Sequence, residues 1–276
     1  MTSLPRVVFI TGASAGIGAA LAERFAAPGQ RLGLVARRAE RLAHVAARCR
    51  DRGAEVVTYP VDVSDLQAIT AAASDFSARC GEVDVVIANA GVSRRESDPR
   101  EWGHALSEVM AVNLLGVVHT LAPFVEAMEA RGRGSLVAIS SVAGFRGIPD
   151  AGAYCASKAA VNAWMESLRV RLSGRVHVMT VCPGFIATDM TASNRFRMPW
   201  LRSAEYAAER ITRGVRRETS TLVFPWQMAW LMRVVRLLPP SIYDRLMAYG
   251  RARGMTRKAP PVLHETDPRR GGIAAP

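Results

Sequence analysis

Seven short apolar runs, most of them rich in β-branched residues, recur along the chain at 7–10, 32–35, 56–59, 83–87, 135–139, 176–181 and 221–224. Helix-length amphipathic stretches separate them, at 17–27, 40–49, 67–80, 102–130, 153–172 and 204–217. Runs that are apolar throughout need cover on both faces, which is the situation of a parallel sheet, and the intervening helices supply the crossovers. The pattern predicts an α/β fold: a Rossmann-type doubly wound parallel sheet with helices on both faces, built as a single domain. A chain of 276 residues that is 49% hydrophobic can bury the core such a domain requires. Ligands of this architecture bind beyond the carboxyl ends of the strands.

The first run ends in Thr11-Gly12-Ala13-Ser14-Ala15-Gly16-Ile17-Gly18 and passes straight into a helix. Glycines at such a junction permit a tight turn, let the backbone approach a pyrophosphate, and allow strand and helix to pack closely, while the helix start offers free N–H groups. The placement predicts dinucleotide binding. The second run ends Val35-Ala36-Arg37-Arg38, with no acid at Ala36 to receive a ribose 2′-hydroxyl. Arg37 and Arg38 can instead hold the 2′-phosphate of NADP, so NADP is preferred over NAD; the alternative is the solvated start of the next helix.

Tyr154 and Lys158 stand four residues apart in a predicted helix, on one face, with Ser141 upstream at the end of a strand. A phenol titrates near pH ~10 and shuttles protons poorly at neutral pH unless a nearby cation stabilises its anion. Of 36 Lys+Arg only Lys158 and Lys258 are lysine, and a compact ammonium can approach a phenolate and a ribose hydroxyl together.

In sum the chain resembles the short-chain dehydrogenase/reductase (SDR) family over about residues 5–225. The resemblance rests on motifs in order: Thr11-Gly12 with Gly16 and Gly18, Asp62-Val63, Asn89-Ala90-Gly91, Asn113, Ser141, Tyr154 with Lys158, and Pro183-Gly184 followed by Thr188. The family's usual second asparagine is replaced by Ala88. The resemblance implies catalysis by Asn113, Ser141, Tyr154 and Lys158. It implies a cofactor site of Gly12, Ser14, Gly16, Ile17, Gly18, Arg37, Arg38, Asp62, Val63, Asn89, Ala90, Gly91, Tyr154, Lys158, Pro183, Gly184, Ile186 and Thr188. Asp62 and Val63 would contact the adenine, though Asp62 also suits a turn ahead of a helix cap at Ser64. Asn113 would perturb the long helix and hold a water on a proton relay to Lys158. Pro183-Gly184 would shape the loop over the nicotinamide, and Thr188 would bond its carboxamide or a phosphate oxygen. Tyr154 would act as general acid/base on a carbonyl or secondary alcohol, Ser141 would stabilise the alkoxide, and Lys158 would lower the phenol pKa and anchor the ribose. Ser140 is the rival to Ser141, but the spacing to Tyr154 matches the family at Ser141. Homo-oligomers are expected from the same resemblance.

Beyond Thr188 a substrate loop is expected over about 185–203. Its Phe196, Met198, Trp200 and Leu201 either form an apolar lid over a hydrophobic small-molecule substrate or only pack the loop down. An amphipathic extension follows at 226–250, stopped midway by Pro239-Pro240, with Ser241 as candidate cap of a second helix. It suits the surface of an anionic membrane, a pocket cover or a subunit contact. Residues 251–276 read as a disordered basic tail. The charge of +12 concentrates here: residues 195–276 hold 16 Lys+Arg against 6 Asp+Glu. Neither zinc-finger spacing nor an RNP-type aromatic motif accompanies it, so no nucleic-acid partner is expected. Cys49, Cys80, Cys155 and Cys182 are too scattered for a metal site and read as reduced thiols. With neither a signal-type apolar stretch at the N-terminus nor a run of roughly 20 apolar residues, the expectation is a cytoplasmic protein, with peripheral membrane association through 226–250 left open. A non-catalytic NADP-binding scaffold or a membrane-surface binding protein remains the competing reading.

Overall fold

The computed structural model describes residues 5–96, 98–192, 194 and 198–252. The apolar runs form strands β1 (Val7–Thr11), β2 (Arg31–Val35), β3 (Glu55–Tyr59), β4 (Val85–Ala88), β5 (Ser135–Ile139), β6 (His177–Pro183) and β7 (Thr221–Phe224). All pair in parallel in the order β3-β2-β1-β4-β5-β6-β7. The chain runs outward from β1 to β3 and then returns to the other side of β1 as β4. This reversal opens a crevice at the carboxyl ends of β1 and β4.

The helices are α1 (Gly16–Phe25), α2 (Ala39–Asp51), α3 (Leu66–Cys80), α4 (Trp102–Met110), α5 (Gly116–Arg131), α6 (Gly152–Arg171), the single turn α7 (Asp189–Ala192), α8 (Ala204–Arg216), α9 (Trp226–Leu237) and α10 (Pro240–Ala252). Alternate strand residues point to opposite faces. Ile10, Leu34 and Val181 therefore meet Leu21, Phe25, Leu42 and Ile211 on the side covered by α1, α2 and α8. Phe9, Val86 and Leu136 meet Phe76, Leu121, Phe124 and Met165 on the side of α3, α5 and α6. All four cysteines are buried free thiols, and no metal-type cluster occurs among the described residues.

The expected helix over 102–130 is present but not uniform, since a π-helical turn at Ala111–Leu115 separates α4 from α5 and carries Asn113. Such turns accompany functional positions, and this is the perturbation the asparagine leads one to expect. The helical run 99–131 is long and apolar enough to cross a membrane by length and composition, yet Val109, Val117, Leu121 and Met128 lie in the core.

Three local expectations are corrected. β4 starts at Val85, and the Asp84 carboxylate just before it accepts hydrogen bonds from Arg6 N (2.8 Å) and Val7 N (3.1 Å), fastening the start of β1. The cap of α3 is Asp65, which accepts from Ala68 N at 3.0 Å, while Ser64 donates to Asp62. Helix α10 begins at Pro240, with Pro239 O accepting from Ile242 N and Tyr243 N, so Ser241 lies inside the first turn. Proline is preorganised for that first position, where its missing N–H is no loss. The tail assigned to 251–276 starts inside α10, which runs to Ala252, and from residue 253 onward it lies outside the described residues.

Candidate active site

The turn after β1 depends on glycine for space as much as for conformation. Gly12 and Gly16 have φ of +67° and +54°, in the left-handed region. A Cβ on Gly12 would stand 2.7 Å from Asn89 Nδ2, and one on Gly18 would stand 2.3 Å from Gly12 O. Asn89 locks this turn by donating from Nδ2 to Thr11 O (3.1 Å) and Gly12 O (3.2 Å). Its own N–H donates to Thr11 Oγ1 at 3.2 Å. No side chain caps the start of α1, and Ala15, Gly16 and Ile17 there line the crevice. That is the arrangement an anionic pyrophosphate fits.

At the end of β2, Ala36 is buried, and Arg37 and Arg38 follow on the surface. Arg37 pairs with Asp62 at 3.5 Å, and Arg38 with Asp189 at 3.8 Å and Ser14 Oγ at 3.4 Å. Burial pushes the Asp62 pKa up, but hydrogen bonds from Ser64 and the Arg37 charge outweigh it, leaving the carboxyl below its ordinary value. Arg41 joins the group with a 2.8 Å bond to Asp189. Sequence reasoning missed Arg41 and Asp189, which come from segments 148 positions apart and share no local signal.

At the opposite end, β5 delivers Ser140 and Ser141 to the crevice. Ser140 is spent on structure, its hydroxyl donating to Lys158 O at 3.0 Å. Ser141 accepts from Ala143 N at 3.1 Å and is bonded to Tyr154. Lys158 is buried at 3% exposure, the one charged side chain in the buried set among the described residues. Its Nζ donates to Ile139 O at 2.9 Å and lies 5.8 Å from the centre of the Tyr154 ring. Burial lowers the Lys158 pKa to about 8. Burial also raises the Tyr154 pKa, with the Ser141 bond acting the other way. The expected lowering of the phenol is thus not the balance in the chain alone, because desolvation outweighs the stabilisation of the anion.

Two supports hold these groups. Glu96, which sequence reasoning missed, accepts from Gly152 N at 3.0 Å and from Ala153 N, capping the helix that carries Tyr154 and Lys158. Asn113 is fully buried; its Oδ1 accepts from Val92 N (2.8 Å), and its Nδ2 donates to Val92 O (2.9 Å) and Ser157 Oγ (3.0 Å). A Cβ on Gly91 would stand 3.3 Å from Asn113 Oδ1 and 3.6 Å from Lys158 Nζ, so glycine keeps the space between them open.

One continuous cleft is lined by Gly12, Ser14, Gly16, Ile17, Arg37, Arg38, Asp62, Val63, Asn89, Ala90, Gly91, Ser141, Tyr154, Lys158, Pro183, Gly184, Ile186 and Thr188. Gly18 and Asn113 are not among its lining residues; Gly18 packs behind the turn, and Asn113 sits within the π-turn. Val61, Val92, Asp189, Met190 and Thr191 also line it, without having been foreseen. The two ends of the expected substrate loop meet, since Ala187 N donates to Arg202 O and Arg202 N to Phe185 O. Met190, Trp200 and Leu201 are exposed in that loop, Met198 is partly buried, and Phe196 lies outside the described residues.

Helices α9 and α10 fasten the segment after Ser141. Met228 is buried against Gly184, where an added Cβ would come within 3.2 Å of its Cγ. The Arg236 guanidinium stands 5.3 Å from the Phe145 ring centre, and that of Arg146 4.2 Å from the Tyr243 ring centre. Tyr243 Oη donates to Gly147 O at 2.5 Å.

The sheet order, the glycine-rich turn and the meeting of Ser141, Tyr154 and Lys158 at one crevice are those of an α/β fold with its cleft at the strand carboxyl ends. The family model described as short chain dehydrogenase matches residues 6–198, and the chain belongs to the short-chain dehydrogenase/reductase family. It is 36% identical over 240 residues to an uncharacterized oxidoreductase of Myxococcus xanthus, covering 87% of this chain and 95% of the relative. A short-chain dehydrogenase/reductase of Burkholderia phymatum in complex with NAD superposes with TM-score 0.76 at 25% identity, covering 84% of this chain and 94% of that one. A short-chain dehydrogenase of Sphingobium yanoikuyae in complex with NADPH gives TM-score 0.72 at 25% identity, covering 96% and 99%. The protein is an enzyme acting on CH–OH or C=O groups.

Proposed function

We propose that the protein is an NADP(H)-dependent reductase or dehydrogenase of hydrophobic carbonyl compounds or secondary alcohols, with Tyr154 as general acid/base. The observation that carries this reading is the meeting of Ser141, Tyr154 and Lys158 at one end of a cleft that runs past the Gly12–Gly16 turn to Arg37 and Arg38. The residues fit the dinucleotide: glycine at 12 and 16 lets the tight turn pack on Asn89, Ala90 and Thr188, and the uncapped start of α1 accepts phosphate charge. Asp62 and Val63 would hold the adenine, Lys158 the nicotinamide ribose, and Ile186 and Thr188 the carboxamide end. Bound nicotinamide supplies or receives the hydride.

The chain's own groups handle the proton. In reduction Tyr154 donates to the carbonyl oxygen as charge develops there, and Ser141 hydrogen-bonds the same atom. A raised phenol pKa keeps Tyr154 protonated at neutral pH, which suits this direction. Lys158, with a pKa of about 8, remains largely cationic below that pH and supports the anion left on Tyr154. The Asn113 amide is committed to Val92 and Ser157, so it contributes to proton return by fixing the walls beside Lys158 rather than by offering free side-chain atoms.

Preference for NADP is supported by Ala36, which leaves no acid at the end of β2, and by Arg37, Arg38 and Arg41 gathered at the rim. Their partners Asp62 and Asp189 hold them only through exposed pairs, which contribute little and exchange readily for a phosphate. A hydrophobic substrate is supported by Met190 in the cleft and by Trp200 and Leu201 exposed in the loop beside it. The test is NADPH and NADH oxidation against ketones and aldehydes of graded size and polarity. NADPH-dependent turnover rising with apolar size is expected; turnover with NADH alone, or with small polar carbonyls alone, would overturn the corresponding part.

A further inference from the structure

Helices α9 and α10 have two faces with different fates. Their inner sides are used on Gly184 and the segment 145–147 through Met228, Arg236 and Tyr243. On the outer side Trp226, Trp230, Val234 and Leu237 recur at helical spacing and are exposed, the two tryptophans at 75% and 62% and the leucine at 84%. Ile242, Leu246 and Tyr249 repeat the pattern on α10. Large apolar side chains scattered singly on a surface need no explanation, but seven on two adjoining helices do.

Charge decides what covers them. Residues 226–252 contain Arg233, Arg236, Arg245 and Arg251 against Asp244 alone, a net charge of +3 for the two helices together, with Arg236 on the inner side over Phe145. Packing these helices on their counterparts in a second copy would bring two cationic elements together, which opposes association. A negatively charged surface that accepts apolar side chains removes the conflict. Tryptophan rings and arginine stems suit the boundary between acyl chains and headgroups, with their polar ends kept in water. At 1.5 Å per residue α9 is ~18 Å long, too short for a ~30 Å hydrocarbon core, so it would lie in the interface and not cross it.

We infer that the outer face of α9 and α10 docks on an anionic lipid surface. Because the inner face of the same helices holds the segment after Ser141, docking sets the substrate end of the cleft near the bilayer.

Binding is read by co-sedimentation of the full chain with phosphatidylcholine vesicles containing or lacking phosphatidylglycerol, so the result does not depend on any enzymatic activity. The expected result is binding to the anionic vesicles alone, weakened by added salt and reduced at least about tenfold in Trp226→Ser/Trp230→Ser. Leu237→Ser, at the most exposed position, should weaken binding in the same direction and serves if the double variant folds poorly. Wild-type protein that sediments equally with both vesicle types, or not at all, overturns the proposal. So does unchanged binding by folded variants, or a drop in oligomer mass by light scattering in variants of a protein that ignores vesicles, which would assign the face to a subunit contact.

Discussion

At one end of the cleft a single buried lysine sits between Ile139 O and the Tyr154 ring, its pKa lowered to about 8. At the other, Arg37 and Arg38 have side chains 60% and 51% exposed, and they reach Asp62 and Asp189 at 3.5 and 3.8 Å. Desolvation makes the first end sensitive: a buried charge with few partners responds strongly to any change near it. The second is built from screened pairs that rearrange at little cost. Under the proposed function, the chemistry would rest on burial, while cofactor choice would rest on side chains that are easily exchanged.

The sharpest way to break this comparison is at the turn between the two ends. Gly18→Val places side-chain atoms against Gly12 O and Asn89, with no room for relaxation, and should abolish NADPH binding measured by fluorescence titration. Retained binding would mean that the turn is not the phosphate seat.

Next in size is the pH response of the buried end. Because the Lys158 pKa is depressed, its ammonium is present below about pH 8 and is lost as pH rises through that value. NADPH-dependent reduction should hold steady below that point and fall above it, and Lys158→Met should lower kcat/KM by about 10²-fold or more at neutral pH. A profile flat well into the alkaline range would contradict the assignment.

Arg38→Ala tests the exposed end more gently. The ratio of kcat/KM for NADPH over NADH should fall about tenfold, the scale of one charge-assisted hydrogen bond, with the NADH value nearly unchanged. Smallest of all, Tyr243→Phe removes the hydrogen bond to Gly147 O while leaving the ring beside Arg146. About 1 kcal/mol or less of stability should be lost, visible as a shift of the denaturation midpoint in urea.

What could be read from the sequence follows the same division. The glycine turn was legible because its backbone demands φ > 0 and close approach, requirements that few residues meet. The strands were legible because burial on both faces leaves continuous apolar runs. Asn113 stood out once the other motifs had supplied a context, and the π-turn gives its position a physical form. Glu96 on the start of α6, Asp189 with Arg41, and Tyr243 with Gly147 join residues 56, 148 and 96 positions apart. No local period encodes such pairings. The start of α10 was misplaced because Pro240 and Ser241 both carry helix-start signals, and only the backbone bonds to Pro239 O decide between them.

The central claim is that Tyr154 moves the proton in a cleft that binds the nucleotide independently of it. Tyr154→Phe removes the hydroxyl and leaves the ring, so turnover and NADPH affinity can be measured on one folded protein. The account predicts a loss of kcat of ~10²–10⁴-fold with the NADPH dissociation constant changed by no more than about threefold. Turnover within about tenfold of the wild type, at unchanged NADPH affinity, would contradict it.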